Sequence, residues 1–352
     1  MGKSIIIMAG GTGGHVFPAL AVAEYLIDQD WQVSWLGTRK GLESKVVPEQ
    51  GIAMDWLPVA GVRGKGLAAK LTAVFLLLQA CMQAWAVLRQ RKPNVVLGMG
   101  GFVAGPGGLM AKLLGIPLVI HEQNRVPGTT NRWLAKFAQR VLEAFPDSFK
   151  KSVNAQCTGN PLRKQFMLQA GLAAIKTNHS GLNILVVGGS QGAQALNNAL
   201  PEALAQIKDA VVKHQTGAVM QQQVTQRYAE LSVDAEVQAF ITDMAAAYQW
   251  ADLVICRAGA MTVSEVAAMG VPAIFIPLPN AIDDHQAANA QFLGSTNASV
   301  TILQKDLDTH HIVTQIQAVR ENLAAMSQAA QRCARLDATA AVAAACIAEA
   351  SA

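Results

Sequence analysis

Apolar positions along this chain gather into short runs separated by longer stretches of helical spacing. Ile5–Met8, Val33–Leu36, Val95–Leu97 and Leu118–Ile120 are such runs, each followed by a glycine-rich or polar loop and then an amphipathic segment. Strands buried on both faces by crossover helices have this signature, which predicts a parallel sheet. Residues 170–181 are polar and poorly periodic and read as a linker. The alternation then restarts with Ile184–Val187, Val211–Lys213, Val237–Phe240, Leu253–Cys256 and Ala273–Ile276. Two doubly wound α/β domains are expected, with ligands bound beyond the carboxyl ends of the strands, in a cleft where the two domains face each other. The alanine-rich segment Asp337–Ala350 reads as a terminal helix.

One stretch departs from this pattern. Leu71–Leu88, LTAVFLLLQACMQAWAVL, is apolar round most of a helix, and its length of about 18 residues approaches what a bilayer span needs. Gln79 and Gln83, one turn apart, and its position between sheet strands argue against spanning. A core crossover helix accounts for one face. The remaining face, bracketed by Arg63, Lys65 and Lys70 before it and by Arg89, Arg91 and Lys92 after it, fits peripheral binding to an anionic leaflet.

The chain has 352 residues, enough for two cores, and is 51% hydrophobic with 15% charged residues, which excludes disorder. The net charge of +4 suits an acidic partner but comes without the basic stripe of a nucleic-acid binder. Five scattered cysteines, without a CxxC pair, argue against a disulfide framework or a zinc knuckle and for a reducing cytoplasm. The N-terminus reads as a strand running into glycines, not as a signal peptide, so export is not expected.

Three glycine-rich loops follow predicted strands: GGTGGH at Gly10–His15, GMGGFVAGP at Gly98–Pro106 and GGSQGA at Gly188–Ala193. A single loop of this kind is an ordinary tight turn; three in one chain point to phosphate, which backbone N–H groups at helix starts attract. None completes a dinucleotide fingerprint, since Val16 stands where a third glycine is needed and the second strand ends in Gly37-Thr38-Arg39 without an acid. No segment completes a Walker loop. Gly188–Gly192 matches G-x-S-x-G, with Asp283, Asp284 and His285 downstream, so a serine hydrolase is an alternative; a whole preceding α/β domain and the adjacency of Asp284 and His285 weigh against it.

Cys256–Glu265, CRAGAMTVSE, leaves a strand, turns at Gly259 and opens a helix. Thr262 and Glu265 have capping-box spacing; the same loop alternatively cradles a diphosphate while Glu265 bonds ribose hydroxyls. Asp306-Leu307-Asp308 has D-x-D spacing, but Asp at a helix start is the simpler reading, and His310 and His311 read as surface residues, so no metal site is expected.

Taken together, these motifs resemble the MurG family of bacterial glycosyltransferases. The match runs through GGTGGHxxPAL, GMGGFVAGP, HEQN at His121–Asn124, TGNPLR at Thr158–Arg163, GGSQGA, FITDMAAAY at Phe240–Tyr248, CRAGAMTVSE and DHQxxNA at Asp284–Ala290. The resemblance implies an α/β GT-B fold, two Rossmann-like domains whose parallel sheets face each other across a cleft. It implies residues 1–163 as an acceptor- and membrane-binding domain, with a helix at 337–352 packing back on it, and 164–336 as a UDP-sugar-binding domain. The implied reaction is inverting transfer of N-acetylglucosamine from UDP-N-acetylglucosamine to the muramoyl 4-hydroxyl of lipid I, an undecaprenyl-pyrophosphate-linked acceptor. It implies a peripheral enzyme at the cytoplasmic face of the inner membrane, with no cofactor.

Carried over by position, the family's donor contacts fall on Ile241 for uracil, Glu265 for ribose, and Ser190, Arg163 and the turn Ala260, Met261, Thr262, Val263 and Ser264 for the phosphates. Thr12, Gly13 and Gly14 join the donor contacts, and Asn124 and Gln286 hold sugar hydroxyls. His15, Gly100 and Gly101 face the acceptor pyrophosphate. His15 is the first choice of general base, the alternative being a pyrophosphate contact or a role in the turn, and Glu122 is the reserve. Phe102 stands where relatives often carry tyrosine, and Arg125 and Pro127 also depart from the family pattern. An epimerase of the same sugar nucleotide, another lipid glycosyltransferase and a nucleotide-sugar-binding membrane scaffold are the rival readings.

Overall fold

The computed structural model describes residues 2–58, 67–170, 181–189, 192–279 and 284–351, with side chains of 67–73 outside the description. The chain divides into two compact units, Met1–Arg163 with Asp337–Ala352, and Lys164–Leu336.

The first unit is built on a seven-stranded parallel sheet in the order β3-β2-β1-β4-β5-β6-β7. Its strands are β1 (Ser4–Met8), β2 (Gln32–Gly37), β3 (Ala53–Trp56), β4 (Val95–Gly98), β5 (Leu118–Glu122), β6 (Arg140–Glu143) and β7 (Gln156–Cys157). The helices among them are α1 (Gly13–Ile27), α2 (Glu43–Val46), α3 (Leu67–Arg91), α4 (Ala104–Leu113) and α5 (Thr129–Leu134). Strand alternation divides the core in two. Ile5 and Ile7 of β1 pack with Val22 and Leu26 of α1 and with Val342 and Cys346 of the C-terminal helix, Ala338–Ala350. Ile6 and Met8 pack on the other face with Ala84 and Leu88 of α3 and Met110 of α4. The C-terminal helix is further tied by an ion pair between Arg140 and Glu349.

The second unit contains α6 (Lys164–Gln169), β8 (Leu182–Val187), α7 (Gln194–Leu204), β9 (Ala210–Gln215), α8 (Gln221–Glu230), β10 (Asp234–Gln238) and α9 (Met244–Trp250). It continues through β11 (Leu253–Cys256), α10 (Ala260–Met269), β12 (Ala273–Phe275), α11 (His285–Gly294), β13 (Ser299–Thr301), α12 (Thr309–Glu321) and α13 (Leu323–Cys333). Its six parallel strands run β10-β9-β8-β11-β12-β13. Both sheets therefore start at the middle, wind to one edge and return to wind to the other, which is the doubly wound order with its switch point beside the first strand.

Each apolar run lies on a strand, but the run placed at Val237–Phe240 is displaced. Strand β10 is Asp234–Gln238, because its register with β9 pairs Asp234 with Val211 and Gln238 with Gln215. The predicted linker lies almost wholly outside the described residues. Helix α3 covers the expected apolar stretch, and among its described side chains only a narrow stripe, Ala80, Ala84 and Leu88, is buried. Val74, Phe75, Leu77, Leu78 and Met82 are exposed. Among the described residues no helix is long and apolar enough to cross a membrane.

Candidate functional site

In the first unit, β1 and β4 are neighbours and their carboxyl-end loops meet. The ring of His15, in the first turn of α1, lies over Gly100: a Cβ there would approach its Cδ2 to 2.8 Å, and a Cβ on Gly101 would meet the Gly10 carbonyl oxygen. Glycine at both positions lets the two loops touch. Thr12 precedes α1 in an extended conformation without a side-chain cap, so Gly13 and Gly14 head a helix start of the kind that attracts anions.

A residue that motif reading missed holds this loop in place. Glu43 is fully buried, and its carboxylate accepts from the Gly11 N–H (2.9 Å), the Thr38 N–H (2.8 Å) and the Thr38 hydroxyl (2.7 Å). It thereby joins the loop after β1 to the loop after β2. Nothing local marks Glu43, because its partners are 32 and 5 residues away.

The HEQN and TGNPLR motifs form one buried polar framework. His121 is fully buried, and its Nε2 donates to the Gly159 carbonyl at 2.9 Å while Gln123 Nε2 donates to Nδ1 at 3.1 Å. Burial pushes the His121 pKa down to about 4, so the ring is neutral at physiological pH. Asn160 donates to the Gln123 carbonyl at 3.1 Å. Arg163 lies with its guanidinium 5.2 Å from the Phe17 ring, on α1.

Glu122, the reserve candidate for the base, is enclosed by the loop that follows β5. Its carboxylate is 2% exposed and accepts from the Asn124 N–H (2.9 Å), Asn124 Nδ2 (3.3 Å), the Gly128 N–H (3.0 Å) and Asn131 Nδ2 (2.9 Å). A carboxylate so enclosed shapes the loop that presents Asn124.

In the second unit, α10 begins at Ala260 with Gly259 as an extended N-cap, so the expected capping box is absent. Thr262 is already inside the first turn, because Gly259 adopts the cap conformation three residues earlier. Met261, Thr262, Val263 and Ser264 follow in the first two turns, and half-buried Glu265 accepts from the Tyr248 hydroxyl at 3.4 Å. Behind this turn Asn289 donates to the Ala258 carbonyl at 3.2 Å. Arg257 in the same motif faces inward, donating to the carbonyls of Ile276 (3.0 Å) and Pro277 (3.2 Å) and to Gln304 (2.7 Å). Gln286 accepts from the Leu278 N–H at 2.9 Å.

The loop after β10 is held by Gln215, a second residue missed from sequence, whose Oε1 accepts from the Ile241 N–H at 2.9 Å. Neighbouring His214 is fully buried between the Tyr228 hydroxyl (2.9 Å) and Asn197 Oδ1 (3.1 Å), with its pKa lowered to about 3 by burial. A Cβ on Gly192 would meet the Thr216 carbonyl, so the third glycine loop also rests on the end of β9. Ser190 of that loop and Asp283 of the alternative hydrolase constellation lie outside the described residues. Asp308 caps α12, accepting from the His311 N–H at 2.9 Å, as the helix-start reading of D-x-D expected. Among the described residues no group of three metal-ligating side chains occurs.

The glycosyltransferase family 28 N-terminal domain model matches residues 5–143, and the family 28 C-terminal domain model matches 183–344. A protein of Methylococcus capsulatus, named as the UDP-N-acetylglucosamine to N-acetylmuramyl-(pentapeptide) pyrophosphoryl-undecaprenol N-acetylglucosamine transferase, is 55% identical over 100% of both chains. A protein of Stutzerimonas stutzeri with the same name is 48% identical over 99% of each. The crystal structure of Acinetobacter baumannii MurG superposes with a TM-score of 0.84 at 41% identity, covering 98% of this chain and 99% of that one. A UDP-N-acetylglucosamine 2-epimerase from Neisseria meningitidis reaches 0.67 at 13% identity over 97% and 98%, a likeness of fold alone.

Proposed function

This chain belongs to the MurG family, within glycosyltransferase family 28, and has its GT-B fold; on that premise we propose how its residues carry out the reaction. It transfers N-acetylglucosamine from UDP-N-acetylglucosamine to lipid I, forming lipid II. The observation that carries this reading is identity of 55% over the full length of a relative so named.

We assign the donor nucleotide to the second unit. The Ile241 loop, fixed by Gln215, takes the uracil, Glu265 the ribose hydroxyls, and the start of α10 the diphosphate, whose charge the helix N-terminus favours. Gln286 and Asn124 bind sugar hydroxyls, and Arg163 binds donor phosphate. The acceptor belongs to the first unit, with its pyrophosphate near Gly100, Gly101 and the start of α1. His15 takes the proton of the attacking 4-hydroxyl as the bond to the anomeric carbon forms, and the UDP oxygen leaves with the bonding pair from the opposite face. Hydrogen-bond donors stabilise that leaving charge.

Membrane association is assigned to α3. Its exposed Phe75, Leu77, Leu78 and Met82 make an apolar patch, with Arg89 and Lys92 exposed at its carboxyl end. Arg63 and Lys65 lie outside the described residues. The test of the transferase reading is release of UDP from the donor with and without lipid I. Release that depends on acceptor supports transfer, whereas release from donor alone indicates an epimerase or hydrolase.

A further inference from the structure

In the second unit a cavity of about 530 Å³ opens beside the edge strand β13, between the turn that leads into it and helices α12 and α13. Thr296 and Asn297 precede β13, so the cavity lies at the amino ends of the parallel strands, whereas the loops assigned to the donor leave the carboxyl ends. Its two ends differ in chemistry. At one, Cys333 closes α13 against the turn, with its Sγ 3.4 Å from Thr296 Oγ1, and there Asn297, Ser299 and Arg332 line the wall. At the other, where α12 passes into α13, buried Val319 and Met326 form an apolar floor with Ala325 at the rim.

The polar end is incomplete. Ser299 is 7% exposed, yet its hydroxyl has no hydrogen-bond partner among the described residues, a costly state for a buried polar group. Arg332 is exposed and forms no ion pair among the described residues, and no acidic side chain lines the cavity there. At the apolar end the Asn322 amide is spent within its own helix, donating to the Ala318 carbonyl at 2.9 Å. One cation and one unpaired hydroxyl at one end, with hydrocarbon at the other, select a monoanion that carries an apolar tail. A dianion such as phosphate would set two charges against one cation. We propose that this cavity is a second ligand site, separate from the transferase site, for a medium-chain carboxylate. The carboxylate accepts from the Ser299 hydroxyl and the Arg332 guanidinium, and the chain lies along Ala329, Met326 and Val319. From Ala325 to Arg332, α13 advances about 10 Å, which sets the acid at roughly eight carbons.

The probe is octanoate, titrated into the full chain with isotopically labelled methionine methyl groups, the Met326 resonance being assigned by its loss in Met326→Leu. Octanoate is expected to shift this resonance saturably, while acetate and octanol, which carry only its head or only its tail, bind at least about tenfold more weakly. Arg332→Gln should weaken octanoate about tenfold, since a charge-assisted contact disappears and the exposed position leaves the fold intact. Ser299→Ala should weaken octanoate several-fold and leave the thermal midpoint of the unliganded protein unchanged or higher, because an unpaired hydroxyl has gone. A Met326 resonance that stays still overturns the proposal, as does octanol binding as tightly as octanoate or undiminished binding by Arg332→Gln. So does a shift confined to Met82, which would place octanoate on the exposed face of α3. A Ser299→Ala variant that melts earlier and binds octanoate as before would make the hydroxyl a part of the fold, and would overturn the proposal as well. The transferase reading stands or falls apart from these outcomes.

Discussion

Single side chains divide the chemistry, and each assignment has its own kinetic signature. Glu265→Ala is expected to raise the donor KM about tenfold or more, since hydrogen bonds to a charged group contribute about 1.5–3 kcal/mol. An unchanged donor KM in the folded variant removes the ribose role. His15→Ala should reduce kcat by about a hundredfold, typical for loss of a general base, while UDP affinity holds. Loss of UDP binding instead would transfer His15 to the donor. Glu43→Gln is a test of positioning. An amide keeps the size but turns one acceptor into a donor, leaving Gly11 or Thr38 unpaired at a cost of about 1–3 kcal/mol. We expect lower turnover of acceptor with donor KM unchanged, and partial recovery in Glu43→Asp. Equal losses for Gln and Asp with an unchanged kcat to KM ratio would reduce Glu43 to a packing residue. None of this was legible for Glu43 or Gln215, because their bonds join segments distant in sequence, whereas His15 and Glu265 are marked by the motifs that contain them.

At the level of elements, legibility followed position in the sheet. Central strands such as β1, β4 and β11 are buried on both faces and read as apolar runs. Strands β3, β7 and β13 are short edge strands, and β6 carries only Val141 and Leu142 between two charged residues, so none gave a run to read. The start of α10 was misplaced for a different reason. A glycine N-cap leaves no side-chain signature, so Thr262 with Glu265 imitated a box that the backbone never forms. For α3 the sequence showed an excess of apolar residues, and the fold shows which of them the core leaves out. Replacing Phe75 and Leu78, 66% and 58% exposed, with serine is expected to weaken binding to anionic vesicles several-fold, with UDP affinity unchanged. Salt should release part of the wild-type protein. Equal flotation of wild type and variant would remove α3 as the anchor.

Across the whole molecule, two units repeat one strand order, and the family models divide the chain nearly as the packing does. The exception is the C-terminal helix, which begins within the second model's span yet packs on β1's sheet through Val342 and Cys346. Among the described residues each unit also buries one neutral histidine, His121 and His214. With folded pKa values near 4 and 3 against about 6.5 unfolded, both bind fewer protons when folded. Stability is therefore full above pH 6.5 and falls as the pH drops toward 4, by about 2 kcal/mol per histidine at pH 5. Urea unfolding at pH 7.5 and pH 5 measures this; equal stability at the two values would show that the histidines protonate in the folded state.

The central claim is transfer of N-acetylglucosamine to a lipid-borne acceptor. It is tested most directly by incubating the purified chain with isotopically labelled UDP-N-acetylglucosamine and lipid I, then analysing the lipid product by mass and anomeric configuration. The account predicts one labelled N-acetylglucosamine per acceptor, joined in the β configuration, with one UDP released for each. Labelled free sugar, an epimerised nucleotide sugar, or an α-linked product would contradict it.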